Sequence, residues 1–145
     1  MKSKVVETNV AIEYLRGRNQ ETTDKINELF KQGHVLKITQ ITACELWYGV
    51  YNLSSTEKQL IETEKLNKFF AKLPHILTLN DEASKIFGEL CAKLDKKGKR
   101  VPQFDLLNAS IAISNRIRLI TKDKRHFPRI NELSDFDFLE LWVNK

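Results

Sequence analysis

Glycine and proline are scarce in this chain, five and three of 145 residues, which excludes collagen-like and low-complexity classes. Long apolar runs are absent as well. No segment approaches the ~18 uninterrupted apolar residues that a membrane-spanning helix needs. The opening MKSKVVETNVAIEYLRG is basic enough for a leader, but Glu7 and Glu13 interrupt its apolar stretch and no small-residue cleavage site follows, so a cytoplasmic protein is expected. There are only two cysteines, Cys44 and Cys91, in neither a CxxC pair nor a metal-ligand spacing. That excludes a disulfide framework and a zinc ribbon, and both are read as buried thiols. His34, His75 and His126 show no catalytic pairing, and neither a Gly-rich phosphate loop nor a Ser-centred nucleophile motif is present.

What remains is a charged, compact, helix-rich composition: 41% hydrophobic and 30% charged, with a net charge of +5. A chain of this size buries roughly two thirds of its unfolded surface, and one domain over residues 1–145 is expected. The positive balance favours an acidic partner, nucleic acid first, although solubility alone also accounts for it.

Short β-branched or apolar runs alternate with segments of helical periodicity. Lys4 to Glu7 reads as a buried first strand, and Asn9 or Val10 to about Arg16 as a helix capped by Thr8 and stopped by Gly17. Thr22 to Gln32 reads as a helix, HVLKIT as a strand, ITACELWYGVYNL and Thr56 to Lys72 as helices, HILTLN as a strand and Asp81 to Lys97 as a helix. KLDKKGKRVP is an exposed basic linker, FDLLNASIAISN a helix apolar on all sides, RLIT a strand and FDFLELW a last one. Strands separated by helices of about ten or more residues need crossover connections. The expected fold is therefore α/β, a three-layer α/β/α domain with a mainly parallel central sheet.

Functional groups of such sheets gather at the carboxyl ends of the strands. Glu7, Glu45, Asp105 and Asp123 all stand in that kind of position. Asp105 also suits a helix N-terminus and Asp123 a turn, so the residues alone leave both readings open. Glu45 is harder to explain away, since it lies among Ala43, Cys44, Leu46 and Trp47. Four carboxylates buried at one edge call for a compensating cation, and an all-oxygen set points to Mg²⁺ or Mn²⁺.

With ETNVAIEYLRG, ITACELWYGV, VPQFDLLNASIAI and LITKDKRHF in this order, the chain resembles the PIN-domain ribonucleases, in particular the VapC toxins of prokaryotic toxin–antitoxin modules. The resemblance covers essentially the whole chain. It implies a PIN-like fold and a metal-dependent endoribonuclease whose acidic cluster, holding Mg²⁺ or Mn²⁺, maps onto Glu7, Glu45, Asp105 and Asp123. It also implies orienting roles for Thr8, Asn9 and Thr121, a VapB-type antitoxin as partner and a homodimer. The family opens with Asp where this chain has Glu7, a displacement of the carboxylate by on the order of 1.5 Å that weighs against tight Mg²⁺ geometry. Lys97, Lys99, Arg100, Lys122, Lys124 and Arg125 flank the presumed site and are candidates for RNA phosphates. His126, three residues past Asp123, reads chiefly as structural or solvent-facing, with assistance to a leaving group as the other reading.

Two competing readings belong to other classes. One is a catalytically impaired PIN domain that binds RNA or antitoxin without cutting, with Glu7 as its mark. The other is a metal-independent interaction protein working through an aromatic stripe at Trp47, Tyr48 and Tyr51, a stripe that equally suits core or a dimer interface.

Overall fold

In the computed structural model, which describes residues 2–143, five strands alternate with seven helices. They are β1 (Ser3–Val6), α1 (Thr8–Arg16), α2 (Gln20–Lys31), β2 (Val35–Thr39), α3 (Gln40–Tyr51), α4 (Thr56–Ala71), β3 (Ile76–Leu77), α5 (Asp81–Lys96), α6 (Gln103–Ser114), β4 (Arg118–Thr121), α7 (His126–Leu133) and β5 (Leu139–Leu141). The strands are paired in the order β3-β2-β1-β4-β5, parallel throughout. β1 is therefore central. The chain winds outward from it through β2 and β3, then returns to the other side of β1 as β4 and β5, so the carboxyl ends of β1 and β4 flank a topological switch point.

Period-two alternation along β1 and β4 divides the core. Val6 and Ile120 point into the layer formed by α1 to α4, where Val10, Ile26, Leu46 and Leu66 pack. Val5 and Leu119 point the other way, against Leu90, Leu106, Ala109, Phe127 and Phe138. α6 is apolar on every side because it is buried along most of its length, Leu106 and Asn108 to Ile113 all being inaccessible. The three-layer α/β/α expectation holds.

Several boundaries differ from those read in the sequence. Glu7 lies just beyond β1 and is itself the N-cap of α1, its side chain accepting the Asn9 N–H. Thr8, expected in that role, is the first helical residue and turns its hydroxyl elsewhere. α2 begins at Gln20, two residues before the expected Thr22, with Asn19 as its cap. HILTLN narrows to the pair Ile76–Leu77 at the sheet edge. α7 was missed altogether, since HFPRINEL is one short stretch with a proline at its third position; proline is tolerated there because first-turn N–H groups lack helical partners. Cys44 is exposed and Cys91 half-buried, so neither is the fully buried thiol expected. The aromatic stripe divides as well: Trp47 packs against Phe70 and the core, whereas Tyr48 and Tyr51 face outward.

Candidate active site

The polar residues at the carboxyl ends of β1 and β4 are tied together before any ligand is considered. The N–H of Glu7 donates to Ile120 O at 3.0 Å, which seats the carboxylate beside the end of β4. Glu7 Oε1 accepts from Thr121 Oγ1 at 3.0 Å and Oε2 from the Asn9 N–H at 2.8 Å. Thr121 Oγ1 in turn accepts from the Asp123 N–H at 3.1 Å. Asp123 Oδ1 then accepts the N–H groups of Arg125 and His126 at 2.8 and 3.2 Å, at the entrance to α7. One oxygen of Asp123 is thus occupied by backbone, while Oδ2 faces the cleft and meets the His126 ring at Nδ1, 3.1 Å away.

Glu45 comes from the second turn of α3. Its Oε1 accepts from Thr8 Oγ1 at 2.7 Å, and Thr8 lies 2.9 Å from Thr42 Oγ1. Thr42 and Thr39 both donate to Asn108 Oδ1, so a buried polar chain links β2, α1, α3 and α6. Asn108 was not singled out in the sequence. The available signal was its spacing three residues past Asp105, on one face of an otherwise apolar helix.

These elements enclose an open cleft of about 610 Å³ at the sheet edge, with Glu45, Asp105, Asp123, Arg125 and His126 in its wall. One donor atom each from Asp105, Asp123 and His126 falls within 4.8 Å of the others. Asp105 and Asp123 therefore approach each other; Glu45, expected to meet them, lines the same cleft outside that tight group, and Glu7 lies behind it, almost wholly buried. His126 joins the cluster instead of facing solvent, its Nδ1 lying 3.1 Å from Asp123 Oδ2 and 3.5 Å from Asp105 Oδ2.

The electrostatics reflect this crowding. Burial pushes the Glu7 carboxyl up to about 7, and the Asp105 and Glu45 charges add to the rise while the bonds from Asn9 and Thr121 oppose it. Burial likewise raises Asp105 to about 6, with Asp123 and then Glu45 reinforcing the shift against the opposing effect of His126. An oxygen-rich set whose members repel one another suits a hard divalent cation, which relieves the repulsion and takes carboxylate ligands. The residues fit such an ion.

The basic residues separate into two kinds. Lys122 points away from the cleft, donating to Glu13 at 2.8 Å and Thr22 at 2.6 Å, so it is removed from the list of phosphate contacts. Arg100 pairs with Asp95 at 3.0 Å. Lys97, Lys99, Lys124 and Arg125 are exposed, and Arg125 reaches the cleft.

A second groove, about 550 Å³, runs between α1, α3 and α4 beneath Ile12, Leu15, Leu46 and Ile61, and shares Glu45 with the acidic cleft.

Comparison with known proteins places these features. The family model described as PIN domain matches residues 4–133. Ribonuclease VapC2 of Rickettsia felis is 30% identical over 138 residues, covering 95% of this chain and 96% of that one. Ribonuclease VapC3 of Methanocaldococcus jannaschii is 38% identical over 107 residues, 74% of this chain and 95% of that one. Among solved structures, VapBC2 from Rickettsia felis bound to a DNA fragment from their promoter superposes with a TM-score of 0.81 at 28% identity, covering 97% of this chain and 98% of that one. With nearly its whole length matched by the family model and by a full-length relative, the chain belongs to the PIN-domain family, in its VapC branch.

Proposed function

We propose that the protein is a divalent-metal-dependent endoribonuclease, the toxin of a VapBC-type pair, acting in the cytoplasm as a homodimer and silenced by a VapB-type antitoxin. The observation that carries the reading is the convergence of Asp105 and Asp123 at the mouth of the cleft, with Glu45 in its wall and Glu7 behind. Asp105 and Asp123 would hold the ion, Mg²⁺ or Mn²⁺, with Glu45 and Glu7 adding negative charge. A cation there supplies water activation for in-line attack on a phosphodiester and offsets charge on the leaving oxygen. The protein's part is positioning: backbone N–H groups fix Asp123, the Thr8 hydroxyl orients Glu45, and Thr121 with the Asn9 N–H holds Glu7. Arg125, which lines the cleft, is suited to RNA phosphates, with the exposed Lys124 beside it in the chain and Lys99 further off, which makes binding salt-dependent. The groove along α1 suits an apolar antitoxin segment whose basic side chain reaches Glu45 and competes with metal.

The test is the initial cleavage rate of a structured RNA against Mg²⁺ and Mn²⁺ concentration. Asp105→Asn should abolish cleavage, and cleavage undiminished in excess chelator would sink the reading. Co-expression with the adjacent small gene product should form a complex and relieve growth inhibition. A second reading, a PIN domain that binds without cutting, is favoured by one observation: both oxygens of Glu7 are occupied by internal donors. It predicts no cleavage with either metal, whereas an impaired enzyme would be accelerated by Glu7→Asp, by ~10²-fold given what an ångström-scale misplacement costs.

A further inference from the structure

The acidic cleft contains one nitrogen donor to which the nuclease reading gives no role. His126 is the first residue of α7, and its ring is placed by two independent constraints. The backbone of α7's entrance is clamped by Asp123 Oδ1, and the ring itself stands 3.1 Å from Asp123 Oδ2 and 3.5 Å from Asp105 Oδ2 through the same atom, Nδ1. Neighbouring ligands on a six-coordinate ion with bonds of about 2.1 Å stand about 3 Å apart, so the two spacings are close to those of adjacent positions on one ion. A simple His–Asp pair needs Nδ1 to face one carboxylate; here it faces two.

We propose that His126 Nδ1 is a ligand of the cation site, forming with Asp105 and Asp123 a face of two carboxylates and one imidazole that favours Mn²⁺ over Mg²⁺. The proposal rests on the nuclease reading only in taking the cleft to bind a divalent cation. Its selectivity follows from donor chemistry. Mg²⁺ prefers oxygen and gives up its water reluctantly, while an imidazole nitrogen strengthens the binding of first-row transition ions, least for Mn²⁺ at the weak end of that row but still more than for Mg²⁺. Glu7 and Glu45, being carboxylates, add charge without making that distinction.

The experiment uses the full chain with Mn²⁺ alone as the probe, at pH 8. Continuous-wave electron paramagnetic resonance of free Mn²⁺ gives the affinity, Mg²⁺ competition gives the preference, and pulsed measurement reports whether a ¹⁴N nucleus is bonded to the ion. Nitrogen modulation is expected in the unmodified chain and should change on histidine-specific ¹⁵N labelling, a readout that requires no variant to fold. His126→Asn, which offers an amide oxygen near the same place, should lose the modulation and lower the Mn²⁺-to-Mg²⁺ preference by ~10-fold, the low end of what altered metal surroundings cost. Mn²⁺ bound without nitrogen modulation, or an unchanged preference in His126→Asn, would overturn the role of His126 while leaving the carboxylate site standing. Failure of the unmodified chain to bind Mn²⁺, or equal binding by Asp105→Asn, would bring down the cation site and the nuclease reading with it.

Discussion

Glu7 serves two ends that oppose each other. Its carboxylate caps α1 and bonds to Thr121, yet it is 3% exposed and faces the charges of Asp105 and Glu45. Its folded-state pKa, about 7, lies above the ordinary 4.5, and that of Asp105, about 6, lies above 3.8. A carboxyl raised in this way contributes stability that is complete below its unfolded value and is lost as pH climbs through the folded one. The metal-free protein should therefore melt at a lower temperature at pH 8 than at pH 5, measured by calorimetry in chelator, and Glu7→Gln should flatten that difference. Saturating Mn²⁺ at pH 8 should raise the melting temperature, because an ion that binds only the folded chain stabilises it. A melting temperature that rises from pH 5 to pH 8 without metal would contradict this account of Glu7. In the sequence a carboxylate closing a strand is ordinarily a helix cap or a strand end meeting water, and only the family resemblance makes Glu7 a metal ligand. The structure establishes the cap and leaves the ligand role to experiment, because a helix cap is a local property and a shared ion is not.

At the scale of elements, the turn from β4 to α7 decides the geometry of the cleft. Residues 122, 123 and 126 are close in sequence, yet their side chains part company: Lys122 turns inward to Glu13 and Thr22, while Asp123 and His126 face the cleft. Burial works against the Glu13 carboxylate, but the Lys122 and Thr22 bonds outweigh it and hold its pKa below the usual range. Lys122 thereby straps β4 to α1 and α2. Lys122→Ala should cost about 1 kcal/mol in urea unfolding, a modest figure because Glu13 is partly exposed to solvent, and should leave the salt dependence of RNA binding unchanged. Arg125→Ala should do the reverse, lowering the slope of log affinity against log salt by about 1 with little effect on stability. A reduced slope in the Lys122 variant would restore it to the phosphate contacts. Charge density along KRVP and TKDKR was legible in the sequence; which cations were already paired was not, since Glu13 reaches Lys122 only through the fold and Asp95 meets Arg100 only once the chain turns at Gly98.

For the molecule as a whole, the strand order matters more than any single strand. Placing β1 between β2 and β4 brings Glu7 against Thr121, residues 114 positions apart, and creates the crevice in which ligands of open α/β sheets bind. The outward Tyr48 and Tyr51 of α3, with Leu60 on α4, leave apolar surface of the kind that self-association covers. Light scattering of the isolated chain at tens of micromolar should give a dimer, and Tyr51→Glu should shift it toward monomer without lowering the melting temperature of dilute protein. A monomer in both cases would remove the homodimer.

The sequence by itself determined the alternation of strand and helix, hence crossover connections and a parallel sheet, and it placed Glu7, Glu45, Asp105 and Asp123 after strands or at helix starts. Those are local properties, written in apolar periodicity and in caps that need only neighbouring residues. Tertiary structure alone decided that Asp105 and Asp123 meet, that His126 stands between them, that Lys122 is spent on Glu13, and that Asn108 receives the hydroxyls of Thr39 and Thr42. Each of these depends on a partner far along the chain, and the direction of a side chain toward such a partner is set by packing across the sheet, which no local pattern encodes.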